Sequence, residues 1–226
     1  MQEIELLNTL QELIKSGDQS NIQLAFELRK GQNISEEQLL LPWESLIRFL
    51  ETHYIDFMNI RKETSIEILS KITQATTLNS VLQFDQTQIN KLPKSIGLMI
   101  NLKEIGLNNN HLSSLPKSFK DLSNLRYLDI VQNNIKSLPK ELKSLTSLEE
   151  IYWNSNDIQD LSTALNFPPT LKMLTLHNNR LKKIPPCLGS YTHLTILDLS
   201  NNLLETVPKN LFKLSNLKKL NLRENR

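Results

Sequence analysis

From Leu102 onward the chain restarts the same pattern every 23 residues, at Leu102, Leu125, Leu148, Leu171, Leu194 and Leu217. Residues 171–193 read LKMLTLHNNRLKKIPPCLGSYTH, and residues 194–216 read LTILDLSNNLLETVPKNLFKLSN. A fainter copy opens at Asn79, and the seventh is cut short at Arg226. A unit this short cannot bury its own apolar residues, so it is stable only when stacked on its neighbours. Period and leucine spacing together therefore restrict residues 79–226 to a solenoid.

Each unit divides into two halves. Counting its first residue as position one, positions four and six are apolar throughout: Leu82/Phe84, Ile105/Leu107, Leu128/Ile130, Ile151/Trp153, Leu174/Leu176, Leu197/Leu199 and Leu220/Leu222. Such alternation is the mark of a strand with one buried face, and coils running the same way must stack these strands in parallel, about 4.8 Å apart. Two further apolar rows fill the core behind them: Ile89, Leu112, Ile135, Ile158, Leu181, Leu204, and Leu92, Leu115, Leu138, Leu161, Ile184, Val207. Asn110, Asn133, Asn156, Asn179, Asn202 and Asn225 form a polar row at position nine, with Thr87 in the first coil. A carboxamide can satisfy both donors and acceptors of a turning backbone. Pro93, Pro116, Pro139, Pro185 and Pro208 hold the preceding residue extended on the outer side.

The set Leu102, Ile105, Leu107, Asn110, Leu112, Leu115, Pro116, Phe119 and Leu122 resembles the leucine-rich repeat family, in its 23-residue subtype with Leu-Pro in the second half. That resemblance implies an α/β solenoid: a curved parallel sheet on the inside, short turns on the convex side, and an asparagine row serving as a structural ladder. It also implies a protein- or peptide-binding scaffold with no cofactor.

Residues 1–78 have helical periodicity instead. Ile4, Leu7, Leu10 and Ile14 share one face, with Leu6 and Leu13 beside them and Gly17 as the stop. Asp18 or Ser20 can cap a second helix through Ile22, Ala25, Phe26 and Leu28, ending near Gly31. Ser35 with Gln38 is a capping box for a third, Pro42 suits the first turn of a fourth through Trp43, Leu46, Ile47, Phe49 and Leu50, and Thr64 with Glu67 repeats the capping box before Ile66 to Ile72. The expected organisation is an all-α cap over 1–78, covering the exposed end of a solenoid over 79–226 with six full coils and one truncated.

Composition narrows the function. Hydrophobic content is 39%, and no apolar run approaches the roughly 18 residues a membrane span needs. MQEIELLNTL carries acid where a secretory signal carries Lys or Arg, and Cys187 is the lone cysteine, so neither a disulfide nor a cysteine metal cluster can form within the chain. Extracellular members of the resembled family usually have disulfide-capped ends, and the expected compartment is the cytoplasm. Residues 1–78 hold 7 basic and 12 acidic side chains, whereas 79–226 hold 19 and 12, so the repeats are mildly basic. Most of the lysines lie in the outer half of their unit without interleaved aromatics, which argues against nucleic acid as a partner.

With positions four and six inward, positions three, five, seven and eight face the open inner wall. Tyr127, Val131, Tyr152, Met173 and Ile196 would form an apolar patch there, rimmed by Asp129, Glu150 and Asp198, with Asn154, Thr175 and His177 among them. Aromatic anchors beside polar groups are how protein-binding hot spots are built. Trp153 replaces the usual aliphatic residue, and Leu161-Ser162 replaces Leu-Pro, so the fourth coil departs from the pattern. His177, Ser200 and Asp198 sit close enough to suggest a nucleophile and its base, but nothing supplies an oxyanion hole, and no Gly-rich phosphate loop exists. The expected function is a non-enzymatic scaffold for a protein or peptide. The alternative is the recognition arm of a larger signalling or effector enzyme, and Leu217, Leu220 and Leu222 suggest self-association through an uncapped last coil.

Overall fold

The computed structural model describes residues 2–16, 19–29, 32, 34–53, 81–161 and 167–226. Gly17, Asp18, Gly31, Thr64, Glu67 and residues 162–166 lie outside them, and with them several of the helix signals above and part of the outer half of the fourth coil. Four helices come first: α1 (Gln2–Lys15), α2 (Gln19–Arg29), α3 (Glu36–Leu40) and α4 (Glu44–His53). Seven three-residue strands follow: β1 (Val81–Gln83), β2 (Glu104–Gly106), β3 (Tyr127–Asp129), β4 (Glu150–Tyr152), β5 (Met173–Thr175), β6 (Ile196–Asp198) and β7 (Lys219–Asn221).

The strands form one parallel sheet in chain order, and every pairing has the same offset, from Leu82↔Ile105 to Leu197↔Leu220. Leu82, Ile105, Leu128, Ile151, Leu174 and Leu197 are completely buried at position four. Leu220, on the outermost strand, is 42% exposed. The second-half row is less complete than the pattern suggests, since Val207 is 40% exposed and Leu115 only half-buried. Val207 lies on the last complete outer half, with no equivalent residue packed beyond it.

The asparagine row does what a carboxamide is suited to do. Asn133 Oδ1 accepts from Leu112 N–H at 2.9 Å, while its Nδ2 donates to Leu107 O at 2.9 Å, tying its own turn to the preceding coil. Asn156, Asn179 and Asn202 repeat the arrangement. One residue earlier the backbone enters the left-handed region in each coil: Gln86, Asn109, Gln132, Ser155, Asn178, Asn201 and Glu224 have φ between 51° and 60°. Asparagine tolerates that conformation better than glutamine or glutamate.

Short 3-10 turns (Lys94–Leu98, Lys117–Asp121, Lys140–Ser144, Pro186–Ser190, Lys209–Lys213) make the convex side, each entered through an extended proline. Where two such turns pack closely, glycine is required. A Cβ on Gly189 would lie 2.0 Å from Asn210 O, and one on Gly97 would lie 2.4 Å from Ser118 O.

The described helices share one continuous core with the solenoid, through Leu10, Ile14, Ile22, Ala25, Phe26, Leu39, Trp43, Leu46 and Leu50. The Ser35–Gln38 capping box is present. Ser45 and Ser95 hydroxyls meet at 2.6 Å, tying α4 to the first coil. Ile4, grouped with Leu10 and Ile14 on one face, is 67% exposed, and Leu28 on the second helix is 48% exposed. Both lie on helical stripes that none of the described elements covers, a matter of docking angle and not of periodicity.

Candidate protein-binding face

Register places the inner-wall residues in rows across the sheet. Tyr127, Glu150, Met173 and Ile196 occupy one row, and Asp129, Tyr152, Thr175 and Asp198 the next. All eight are half-buried. The carboxylates therefore lie between the apolar residues, not around them. Tyr127 and Tyr152 occupy one diagonal of a square, with ring centroids 5.1 Å apart and planes tilted by 40°. Asp129 and Glu150 occupy the other diagonal. Tyr127 Oη donates to Asp129 Oδ2 at 3.2 Å, and Tyr152 Oη donates to Glu150 Oε2 at 2.9 Å.

Asn108 supports this square from the second coil. Its Nδ2 donates to Asp129 Oδ2 at 2.7 Å, while its Oδ1 accepts from Val131 N–H at 2.7 Å. The sequence pattern put Asn108 on the wall without distinguishing it. Asp129 Oδ1 is buried and has no donor, and Thr175 Oγ1 nearby is likewise buried and unpartnered. Two carboxylates beside two phenols oppose phenol ionisation. Burial first, then the Asp129 charge and hydrogen bond, carry the Tyr127 phenol well above its ordinary value. Burial and the Glu150 hydrogen bond push Tyr152 up to about 12.

Along the wall, Asn154 Oδ1 accepts from His177 N–H at 2.9 Å. His177 Nδ1 meets Ser200 Oγ at 2.9 Å, so the suspected pair is in contact. Its polarity is wrong for catalysis. Ser200 Oγ lies 2.5 Å from Asp198 Oδ1 and donates its only proton there. The serine oxygen then accepts from the His177 Nδ1–H and from Asn221 Nδ2. A histidine that donates to the serine cannot serve as its base, and Ser200 is 5% exposed. Burial alone would raise the Asp198 carboxyl. Hydrogen bonds from Ser200 and Asn221, with the His177 charge, outweigh it and hold the group below its ordinary range.

Away from the wall, Trp153 fills the core with its Nε1 buried and unpartnered, and Cys187 is half-buried on the convex side. A cleft of about 340 Å³ between helices and solenoid is lined by Lys15, Ser45, Lys94, Ser95 and Ser118, a grouping with no signal in the linear sequence. Among the described residues no three His, Cys, Asp or Glu side chains are placed to hold a metal, and no helix is long and apolar enough to cross a membrane.

No curated protein sequence matches the chain significantly. Solved structures do. A leucine-rich repeat protein of Leptospira interrogans is 32% identical, with a TM-score of 0.51 over 64% of this chain and 43% of its own. An internalin of Listeria monocytogenes, at 23% identity and TM-score 0.56, covers 65% of this chain and 41% of its own, and shows the fold alone. The leucine-rich repeat ectodomain of the Arabidopsis thaliana receptor kinase GASSHO1/SCHENGEN3, solved in complex with CASPARIAN STRIP INTEGRITY FACTOR 2, is 27% identical. Its TM-score is 0.54, over 60% of this chain and 17% of its own. The chain thus spans less than half the length of each. The leucine rich repeat family model matches residues 81–158 and 169–226, more than half of the sequence, and the chain belongs to that family.

Proposed function

We propose that this chain binds a protein or peptide on the concave face of coils three to six and catalyses no reaction. The observation that carries this reading is the set of half-exposed Tyr127, Tyr152, Met173 and Ile196, in two adjacent rows of a sheet whose folding does not require them there. Large side chains on a rigid wall bind at low entropic cost, because they are already held in place. The receptor ectodomain solved with its bound factor lends support, since it shares the solenoid architecture. The reversed Ser200–His177 polarity supports a binding role over a hydrolytic one.

Pull-down from lysate with the double variant Tyr127→Ala/Tyr152→Ala tests the reading. Capture should be lost while the melting temperature falls by only a few degrees, because the ring pair contributes about 0.5–1.5 kcal/mol beyond its area. Unchanged capture would remove this face from consideration.

A second reading takes two forms, in which the solenoid is the recognition arm of a larger protein or pairs with a copy of itself through the apolar residues of β7. Leu220 is 42% exposed, while its counterpart Leu197 is fully buried. Sedimentation over a wide concentration range tests the second form, and a monomer throughout would eliminate it.

A further inference from the structure

The inner wall is charged unlike the rest of the solenoid. Residues 79–226 carry 19 basic and 12 acidic side chains. Yet positions three, five and seven of coils one to six hold Asp85, Glu104, Asp129, Glu150 and Asp198, and no Lys or Arg at all. Among the described residues, every ion pair lies elsewhere, and none of these carboxylates is paired with a Lys or Arg. The wall of coils one to six therefore presents negative charge beside two half-buried aromatic rings, and its cations, Lys219 and Arg223, are confined to the seventh coil.

We propose that the Tyr127–Asp129–Glu150–Tyr152 square is a cation subsite, receiving an arginine side chain from an extended basic segment of the partner. The inference rests on the concave face being the binding surface and names the chemistry of what binds there. Three observations converge on arginine. The rings at 5.1 Å form a tilted platform, and a guanidinium within about 6 Å of a ring centroid is attracted by its quadrupole. Glu150 accepts from Tyr152 through Oε2 only, so acceptor capacity remains beside the platform, while the Asp129 carboxylate, its Oδ1 buried and Oδ2 bonded to Asn108 and Tyr127, adds negative charge from beneath. A planar, five-donor guanidinium can stack and fork to a carboxylate together, which a lysine ammonium cannot do. Charge then continues along the wall: Glu104 flanks Tyr127 on one side, and Asp198 lies two coils beyond Tyr152. Alternate residues of an extended segment, about 6.6–7 Å apart, can address successive carboxylates.

The test uses fluorescence anisotropy with a labelled nonapeptide of alternating arginine and alanine, and versions carrying citrulline, lysine or glutamate in place of arginine. The arginine peptide should saturate, weaken with added salt, and bind about tenfold or more tighter than its neutral citrulline counterpart. Glu150→Gln should weaken the arginine peptide about tenfold while leaving the citrulline peptide and the thermal melt unchanged. Asp129→Asn should act in the same direction, with some loss of stability through Asn108. Equal binding of all four peptides, preference for the glutamate peptide, or no saturation of the arginine peptide by about 1 mM overturns the proposal. Lysate capture that depends on Tyr127 and Tyr152 without arginine preference would sink the cation subsite and leave the binding face standing. Indifference to the tyrosines in both assays would sink both.

Discussion

Asn133 accepts the backbone N–H of Leu112 through Oδ1 at 2.9 Å, and this contact helps fasten one coil to the one before it. The same side chain donates to Leu107, Ile130 and Val131 carbonyls, so it serves backbone groups that no strand partner could reach. Asn133→Ala strands these groups in a buried site, and the expected loss is about 2–4 kcal/mol by urea denaturation. Asn225 makes the matching contacts at the half-exposed last coil, where Asn225→Ala should cost less than about 1 kcal/mol, because water can replace the carboxamide. Equal losses at the two positions would contradict the ladder's dependence on burial.

On the convex side, Gly189→Ala should destabilise by about 1–3 kcal/mol, since the new methyl meets the backbone carbonyl of Asn210 and two stacked turns must separate. Gly106→Ala is the instructive contrast. Its Cβ meets the flexible end of Gln83, which can swing away, so the cost should remain below about 1 kcal/mol. Thermal melts of the two variants decide it.

Trp153 combines a favourable term with an unfavourable one. The ring fills the core, yet its Nε1–H is buried without an acceptor. Trp153→Phe removes the orphan donor as well as some volume, and the two effects should cancel to within about 1 kcal/mol. Trp153→Ala opens a cavity with no such compensation and should cost about 3–5 kcal/mol. If Trp153→Phe matches the alanine variant, the indole nitrogen has a partner.

The tyrosine pair gives the protein an alkaline signature. Tyr152 ionises at about 12 when folded, with Tyr127 raised as well, against an ordinary phenol value near 10 when unfolded. Between those values the folded state holds more protons than the unfolded one, so stability falls as pH rises through the window from about 10 to 12 and is undiminished below it. Tyr127→Phe/Tyr152→Phe should flatten that decline in melts taken from pH 9 to 12. A decline of unchanged steepness would place its origin elsewhere.

Strand positions, the asparagine row and the extended prolines were all legible in the sequence, because each follows from spacing within one unit. Leu128 and Ile130 had to be interior once the period was recognised, and both are fully buried. What the period could not reveal depends on neighbours it does not encode. Ile4 and Leu28 carry the right periodicity and still face solvent, because helix docking decides which stripe is covered. The left-handed backbone at Gln132 and Ser155 has no glycine to announce it; the coil closes that way wherever Asn133 and its equivalents pull it in. On the wall, residue types suggested an apolar patch with an acidic rim. Only the side-chain geometry shows the hydroxyls of Tyr127 and Tyr152 turned onto carboxylates, and the Ser200 proton committed to Asp198.

The unvarying offset between strands has a consequence for how such a chain can change in length. Each pairing joins residues 23 apart, from Val81↔Glu104 to Ile196↔Lys219, without a slip. Excising or duplicating a whole unit between equivalent positions would bring strand against strand and carboxamide against carbonyl as before. Gain or loss of an odd number of residues within the strand half would throw the apolar residues onto the wrong side. Reach is therefore quantised, growing or shrinking by one strand spacing of about 4.8 Å at a time.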